Sequence, residues 1–220
     1  GLVEIQDEGS QLAALIAAAA LDKPGQVLDL CAGGGGKTLA LAAAFDNHGQ
    51  IHAYDADKQR LAPIHDRLQR AGVRNVKVLQ PGRADLDALA GRMDLVLVDA
   101  PCTGTGVWRR RPDAKWRLSS EQLDKRLAEQ RQILDQAVGF LRPGGRLVYV
   151  TCSLLPVENA EQVAALLERS ALLKPLDIAP LWTRATAGAP LPDRLLGSQL
   201  TLSPATSDTD GFFIATLVAD

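Results

Sequence analysis

The sequence predicts an α/β fold with a doubly wound, mostly parallel β-sheet. Short apolar runs alternate along the chain with helical stretches, which is the pattern of strands joined by crossover helices. A glycine-rich loop joins the first apolar run to a helix, a geometry that lets a ligand approach bare backbone. An acid and a thiol follow another run, where open α/β sheets bind their ligands. We therefore expect one domain with a site at the carboxyl edge of its sheet.

Each element has a local reason in the sequence. Runs rich in Val, Leu and Ile predict strands at residues 27–30, 51–54, 75–79, 95–98, 146–150, 172–178 and 212–218. Helices are predicted at 10–21, 39–45, 57–71, 119–141 and 156–169. Pro63 is expected to kink the third helix, and Ser119 with Gln122 forms a capping box for the fourth. Residues 179–207 contain Pro, Gly and Ser without clear periodicity, which predicts a loop.

Composition narrows the class of protein. The chain has 220 residues and is 46% hydrophobic, which is enough for one large core. Its net charge of −2 excludes a globally basic nucleic-acid binder, so any polyanion must meet a local basic patch. Three cysteines form no disulfide framework and favour a reducing, cytoplasmic compartment. No apolar run predicts a membrane span or a signal peptide, and the opening Gly suggests an excised part of a longer protein.

The glycine-rich loop at residues 31–37 fits neither common nucleotide motif. Cys31 stands where a P-loop needs its first glycine, and the last glycine of a dinucleotide motif would fall at Lys37 or Thr38. Asp55 ends the second predicted strand, where an acid accepts hydrogen bonds from ribose hydroxyls. Loop and acid together suit an adenosine-bearing ligand without a triphosphate, such as S-adenosylmethionine. The alternative is a structural glycine turn beside a surface acid.

Two thiols are expected to face one cleft. Cys102 and Cys152 follow the fourth and fifth strands, which are neighbours about 4.8 Å apart in such a sheet. A metal site lacks support, because no C-x-x-C is present and His48, His52 and His65 lie elsewhere. A redox pair and simple burial of both thiols remain open. A thiolate nucleophile is the interpretation that suits a methyl donor, since its addition to carbon 6 of a pyrimidine makes carbon 5 nucleophilic.

A run of cations and tryptophans follows the first of these cysteines. It could hold RNA phosphates and stack a base, or it could be only a solvated basic loop. The run contains Trp108, Arg109, Arg110, Arg111, Lys115, Trp116 and Arg117.

Two sequence motifs resemble those of the RNA (cytosine-5)-methyltransferase family. Residues 99–102 read Asp-Ala-Pro-Cys, with the basic run after them, and residues 149–153 read Tyr-Val-Thr-Cys-Ser, followed by Glu158 and Asn159. The likeness is greatest to the bacterial 16S rRNA enzymes and extends from Gln6 through Phe213, nearly the whole chain.

The resemblance implies a fold, a reaction and roles for individual residues. The fold is a Rossmann-like sheet with an antiparallel last strand, and residues 1–220 form one catalytic domain. The reaction is methylation of carbon 5 of a cytosine in RNA, with rRNA as the partner, S-adenosylmethionine as the cofactor and no metal or membrane. Cys152 is the nucleophile, Cys102 assists product release, and Asp99 contacts both the base and the cofactor. The implied cofactor residues are Cys31, Ala32, Gly33, Gly34, Gly35, Gly36, Lys37, Asp55 and Asp99, and we assign RNA binding to Arg109, Arg110, Arg111, Lys115 and Trp116.

The chain departs from the family pattern at two places. Gly33 and Gly34 replace Ala and Pro, which removes preset backbone geometry. Residues 80–83 read Gln-Pro-Gly-Arg where the family commonly has an acid for the adenosine end, and Asp85 is the substitute considered. Two rivals follow: a methyltransferase acting on protein or a small molecule, and an RNA-binding module without catalysis.

Overall fold

Five parallel strands form the first half of the sheet. The computed structural model describes residues 1–220, apart from the side chains of Arg83 and Ala84. Strand order is β3-β2-β1-β4-β5, so the chain winds outward twice from the centre and leaves a switch point between β1 and β4. The doubly wound α/β prediction is confirmed. The parallel strands are β1 (Gln26–Asp29), β2 (Gln50–Ala53), β3 (Val76–Val78), β4 (Met93–Asp99) and β5 (Leu141–Thr151).

Antiparallel strands complete the sheet beyond β5. The last strand of the chain pairs with β5 along six residues, from Arg146 opposite Val218 to Thr151 opposite Phe213. This confirms the predicted antiparallel last strand. A short hairpin and one further strand add to its outer edge. These strands are β6 (Leu173–Pro175), β7 (Leu195–Leu196), β8 (Gln199–Leu202) and β9 (Phe212–Ala219).

Helices cover both faces of the sheet. Asp7 caps the first helix by accepting a 2.9 Å hydrogen bond from Gly9 N, and Ser119 caps the longest by accepting one of 3.2 Å from Gln122 N. The second of these is the predicted cap. The helices are α1 (Glu8–Ala19), α2 (Gly36–Ala44), α3 (Lys58–Leu61), α4 (Ile64–Arg70), α5 (Arg83–Asp87), α6 (Ala114–Arg117), α7 (Ser120–Phe140), α8 (Ala160–Arg169), α9 (Ala179–Ala185) and α10 (Pro204–Ser207), with 3-10 turns at Thr105–Val107 and Pro156–Glu158.

The strands carry continuous apolar runs because both of their faces are buried. On β4, Leu95 and Leu97 point into the core layer under α1, α2 and α9, whereas Val96 and Val98 point into the layer under α7 and α8. All four residues are fully buried. The sheet is therefore a rigid platform whose carboxyl edge carries the loops described below. Among the described residues, no helix has the length and apolarity to cross a bilayer.

Three predicted elements differ from the structure. The helix predicted at 57–71 is two helices, because Pro63 has no N–H to continue the first and instead precedes α4. The helix predicted at 156–169 begins as a 3-10 turn and breaks at Asn159, whose ψ is −102°. The loop predicted at 179–207 is wrong: α9, the β7–β8 hairpin and α10 lie there. Packing of Leu181 and Trp182 against the α1 layer stabilises α9, a tertiary effect that local periodicity does not show.

Candidate active site at the carboxyl edge of the sheet

The two cysteines meet where β4 and β5 end. Asp99 on β4 lies in register with Val150 on β5, and Ala100 N donates a 2.9 Å hydrogen bond to Val150 O. The two chain segments leave the sheet side by side, which brings Cys102 Sγ within 3.4 Å of Cys152 Sγ. Both thiols are free and partly buried. The predicted juxtaposition of the two cysteines is therefore present.

The pKa values of the two thiols are shifted in opposite directions. The hydrogen bond from Cys102 lowers the pKa of Cys152, although burial acts in the other direction. The same hydrogen bond, burial and the nearby Glu158 raise the pKa of Cys102 well above its ordinary value. The sulfur of Cys152 is thus the one that carries negative charge first as pH rises, and in that state the Cys102 thiol, 3.4 Å away, is its hydrogen-bond partner. Since the thiolate is the reactive form of cysteine, this arrangement favours Cys152 as nucleophile.

A buried lysine joins the glycine-rich loop to the thiol side of the site. Lys37 Nζ lies 2.7 Å from Asp99 Oδ2 and donates a 2.9 Å hydrogen bond to Ser10 Oγ. Its ammonium also lies 5.3 Å from the centre of the Phe212 ring. Lys37 was predicted as a cofactor residue. Its place in the structure is against Asp99, whose side chain is one-third exposed.

The glycine-rich loop is shaped by main-chain hydrogen bonds. Asp55 is almost fully buried and accepts hydrogen bonds from Gly33 N at 2.9 Å and from Asp57 N at 2.8 Å. Gly35 has φ +84°, and a Cβ there would lie 2.5 Å from Ile64 Cγ1, so this position requires glycine. Arg67 Nη1 donates to Gly34 O at 2.5 Å. That bond holds the stretch in which the chain departs from the family pattern.

A cleft of about 710 Å³ lies beside this loop. Cys31 and Asp55 line it, whereas Gly36 faces Gln6 on the other side of the loop. The cleft combines polar and apolar walls, as small-molecule sites do. Asp87 on α5 also lines it and Asp85 does not, so Asp87 is the acid of this stretch that faces the cleft. The remaining walls include Tyr54, Asp57, Leu86, Pro101 and Ile133.

A buried acid behind the cysteines was not assigned a role from the sequence. Glu158 is fully buried and accepts hydrogen bonds from Thr103 N, Thr103 Oγ1 and Gln130 Nε2. The next residue, Asn159, bonds to Thr151 and to the main chain of Ser153. The only sequence signal was the adjacent Glu-Asn pair after the second cysteine motif. The partners of Glu158 lie 28 and 55 positions away along the chain, beyond any local pattern.

The basic run divides into two groups. Arg109 and Arg110 each place Nε 2.5 Å from a carboxylate oxygen of Asp210, whose side chain is fully buried. Burial raises the pKa of Asp210, but the hydrogen bonds from the two arginines outweigh it and the pKa is lowered. The sequence did not predict this pairing, because Asp210 is 101 residues from Arg109 and 100 residues from Arg110.

The second group of the basic run faces solvent. Trp116 is 80% exposed, and Lys115 Nζ lies 4.6 Å from the centre of its ring. Neither Arg111 nor Lys115 has an ion-pair partner among the side chains that the structure describes. These residues are therefore the part of the predicted RNA-binding run that is available in the free chain. No group of three or more His, Cys, Asp or Glu with the geometry of a metal site occurs among the described residues.

The sequence as a whole matches one family of proteins. The family model described as 16S rRNA methyltransferase RsmB/F matches residues 17–218. Ribosomal RNA small subunit methyltransferase B of Enterobacter sp. (strain 638) is 38% identical over 195 residues, which cover 88% of this chain. The match spans 42% of that relative's length, so the relative contains more protein than this chain does.

Solved structures agree with the sequence match. The crystal structure of PH0851 superposes with a TM-score of 0.85 at 33% identity, covering 97% of this chain and 46% of that one. NSun6 from Pyrococcus horikoshii, solved with SFG, gives a TM-score of 0.76 at 28% identity and covers 97% of this chain and 52% of that one. With matched sequence over most of its length and a matched fold, this chain belongs to the 16S rRNA methyltransferase RsmB/F family.

Proposed function

We propose that this chain is the catalytic part of an S-adenosylmethionine-dependent enzyme that methylates carbon 5 of a cytosine in rRNA. The family is one of rRNA methyltransferases, which supports the substrate class and the cofactor. The observation that carries the finer chemistry is the pair of sulfurs 3.4 Å apart, within reach of the charge of Asp99. An rRNA substrate also gives the reason to expect the enzyme in the cytoplasm.

The cleft beside the glycine-rich loop fits the proposed cofactor. Its volume of about 710 Å³ lies within the range of roughly 300–1,000 Å³ that small-molecule sites occupy. Asp55 and Asp87 supply acceptors for hydroxyl or amino groups, while Leu86, Pro101 and Ile133 supply apolar wall for a flat base. When bound, S-adenosylmethionine supplies a methyl group carried on a positively charged sulfur.

Asp99 connects this cleft with the thiols. Its charge acts both on Cys31, in the wall of the cleft, and on Cys152. A carboxylate at that place would attract the positive sulfur of the cofactor and accept a hydrogen bond from the base. We therefore assign Asp99 to the point where cofactor and substrate meet.

The reaction would begin at Cys152. Its thiolate adds to carbon 6 of the target cytosine, forming a carbon–sulfur bond and moving electrons toward carbon 5. Asp99 hydrogen-bonds the polar edge of the base and keeps it in place, and Lys37 holds that carboxylate in position. Carbon 5 would then be the position that the cofactor methylates, and its proton would pass to a water molecule acting as the base. The carbon–sulfur bond breaks last, which returns the electron pair to Cys152.

Cys102 would act in the last step. Its sulfur lies 3.4 Å from Cys152 Sγ, within hydrogen-bond distance, so it can give a proton to the sulfur that leaves carbon 6. A proton at that sulfur makes it a better leaving group and frees the product. The two thiols would thus divide one covalent cycle, with attack assigned to Cys152 and release assigned to Cys102.

The target base must leave its stack to reach these sulfurs. RNA-modifying enzymes meet that requirement by extruding a nucleotide or by acting on a single strand, and they stack splayed bases on aromatic rings. Trp116 is exposed for such stacking, and Arg111 and Lys115 lie within the same short segment to bind phosphates. We assign RNA binding first to these three residues, since Arg109 and Arg110 are already bonded to Asp210.

A methyl-transfer assay tests the proposal. The purified chain, 16S rRNA and labelled S-adenosylmethionine should give 5-methylcytosine in the RNA, identified by mass spectrometry of its nucleosides. Label in protein or small molecules alone would favour the methyltransferase rival. The altered residues 80–83 motivate the other rival, an RNA-binding module. Calorimetric titration with S-adenosylmethionine decides it, because RNA binding without measurable cofactor binding would replace the enzyme proposal.

A further inference from the structure

We propose that Glu158 is a positioning residue, whose buried carboxylate holds the Cys102 loop so that Cys102 donates its proton to Cys152. For its biological consequence this inference rests on the proposed cysteine mechanism. The thiol chemistry that tests it needs no RNA and no cofactor.

Glu158 accepts two hydrogen bonds from Thr103, the residue that follows Cys102. Its Oε1 accepts the main-chain N–H of Thr103 at 2.9 Å, and its Oε2 accepts the Thr103 hydroxyl at 2.5 Å. Gln130 Nε2, from α7, donates to the same Oε1 at 3.0 Å and to Pro101 O at 3.0 Å. The segment 101–103 is therefore fixed on both sides of Cys102. The fixed segment sets the position of the Cys102 sulfur.

The neighbouring Asn159 makes hydrogen bonds to the loop that carries Cys152. Its Oδ1 accepts the Thr151 hydroxyl at 2.6 Å, and its Nδ2 donates to Ser153 O at 2.9 Å. Thr151 and Ser153 flank Cys152 directly. Two consecutive residues thus bind the two cysteine loops separately. Because they are joined by one peptide bond, the distance between the loops is fixed by a short, buried connection.

The carboxylate itself is costly to bury. Glu158 is fully buried, and no Lys or Arg of the described side chains lies within ion-pair distance of it. Buried charged groups need hydrogen bonds or partners to offset lost hydration, and Glu158 has three hydrogen bonds to its carboxylate. An acid that only filled space could be replaced by a smaller apolar residue without this cost. The arrangement indicates that the three bonds and the charge have a use in the site.

The charge of Glu158 adds to the effect of its bonds. The charged and titratable groups around the thiol pair include Glu158 and Tyr149 behind Cys102, and Asp99, Lys37 and Arg110 around Cys152. Three further cations line a pocket together with Cys102, namely Arg117, Lys125 and Arg126. Hydrogen bonding with Cys152 and burial raise the pKa of Cys102 most, and Glu158 raises it further. The carboxylate thus helps keep the proton on Cys102.

Two substitutions separate the effect of the hydrogen bonds of Glu158 from the effect of its charge. In Glu158→Gln the amide oxygen can still accept from Thr103 N and Gln130, and the amide nitrogen can donate to the Thr103 hydroxyl. The loop should stay in place while the charge is removed. In Glu158→Ala all three bonds are removed. Glu161→Ala is the matched control, because Glu161 lies three residues further on in α8 and is exposed.

The measurement is the pH dependence of alkylation of each cysteine by iodoacetamide, read by mass spectrometry. In Glu158→Ala, Cys152 should lose its hydrogen-bonded donor, its pKa should rise, and its alkylation at pH 7 should fall about tenfold for each unit of that rise. Glu158→Gln should keep the wild-type profile of Cys152, while Cys102 becomes reactive at lower pH. Glu161→Ala should match wild type at both cysteines.

Two outcomes would overturn the inference. One is an unchanged Cys152 profile in Glu158→Ala, and the other is a Cys152 profile in Glu158→Gln as altered as that of the alanine variant. The loops stay linked by Gly106 N to Cys152 O at 3.0 Å, which favours folding of the variant. If Glu158→Ala unfolds, Thr103→Val removes the hydrogen bond from the Thr103 hydroxyl to Glu158, and a smaller rise in the Cys152 pKa is expected; no rise would contradict the inference. Wild type that fails to methylate RNA but shows these profiles would remove only the proposed function.

Discussion

The cofactor side and the thiol side of the site are built in different ways. On the cofactor side, main-chain amides of Gly33 and Asp57 fix Asp55, and all of these groups come from two neighbouring strand ends. On the thiol side, the Cys102 and Cys152 loops are held by the side chains of Gln130 from α7 and of Glu158 and Asn159 from the turn before α8. A site formed by main-chain groups of short loops can therefore be predicted from a short sequence motif. A site formed by contacts between distant side chains can be described only once the whole fold is known.

The cysteine sulfurs on the two sides of the site also differ in their pKa values. Cys31 and Cys152 both follow the carboxyl end of a parallel strand. Burial, together with Asp55 and Asp29, raises the pKa of Cys31, whereas the hydrogen bond from Cys102 lowers that of Cys152. Cys31 is therefore an unreactive part of the loop, and the position after a strand does not by itself make a thiol reactive.

The largest effect is expected where the two sides meet. Asp99→Asn removes the charge that pairs with Lys37 and that we propose to hydrogen-bond the base, so methyl transfer should fall about 10²–10³-fold, the usual loss for one such electrostatic group. Steady-state methylation of 16S rRNA measures it. Asp94→Asn, at the start of the same strand, is the control and should keep activity. Full activity in Asp99→Asn would show that the two sides do not meet through this carboxylate.

A smaller effect is expected on the cofactor side alone. Asp55→Ala should weaken S-adenosylmethionine binding by about 1.5–3 kcal/mol, the range for hydrogen bonds to a charged group, because the acid no longer fixes the loop or accepts a hydroxyl. Calorimetry measures the affinity, and the exposed Asp66→Ala is the control. The iodoacetamide profile of Cys152 should stay the same. Unchanged affinity would mean that the cofactor is placed wrongly.

A third prediction concerns the pH dependence of stability. Burial is the main reason that the pKa of Asp29 rises from 3.8 to about 7, even though its hydrogen bond from Thr38 opposes the rise. Between those values the folded chain binds a proton that the unfolded chain releases, so stability should fall as pH rises, by at most about 1.4 kcal/mol per pH unit. Asp29→Asn should flatten the curve measured by urea unfolding across this window. An identical slope in wild type and variant would contradict it.

The smallest effect is expected from the exposed part of the basic run. Arg111→Ala with Lys115→Ala should reduce the salt slope of RNA binding by about 0.7 for each phosphate that the variant no longer neutralises, with no change in Tm. Arg109→Ala with Arg110→Ala should instead lower Tm, because the buried Asp210 loses both partners. Filter binding at several salt concentrations and thermal unfolding measure the two effects. A salt slope unaffected by the first pair would identify the run as a solvated face.

The sequence predicted those parts of the molecule that depend on neighbours along the chain. The doubly wound sheet, the Ser119 cap and the meeting of Cys102 with Cys152 follow from periodicity and strand order. Helix α9 was missed because its stability comes from packing against α1 rather than from its own pattern. The ion pairs of Asp210 with Arg109 and Arg110 were also missed, because they join residues that are far apart along the chain.

The site shows the same limit. The bonds of Glu158 to Thr103 and Gln130 join residues that no local pattern relates, so the acid was visible only as part of a motif. The division of the basic run was equally hidden, since charge counts do not show which arginines are already paired. Sequence reasoning located the edge where chemistry would occur, and tertiary contacts determined which groups are free to act there.

Covalent trapping tests most directly whether the two sulfurs act in different steps of the reaction. Wild type, Cys102→Ala, Cys152→Ala and the double variant are incubated with 16S rRNA and S-adenosylmethionine, then separated by denaturing electrophoresis. Cys102→Ala should accumulate a protein–RNA species, because attack and methyl transfer occur without efficient release. Cys152→Ala and the double variant should give neither adduct nor methylated RNA. An adduct in Cys152→Ala, or methylation that persists in both single variants, would contradict the assignment.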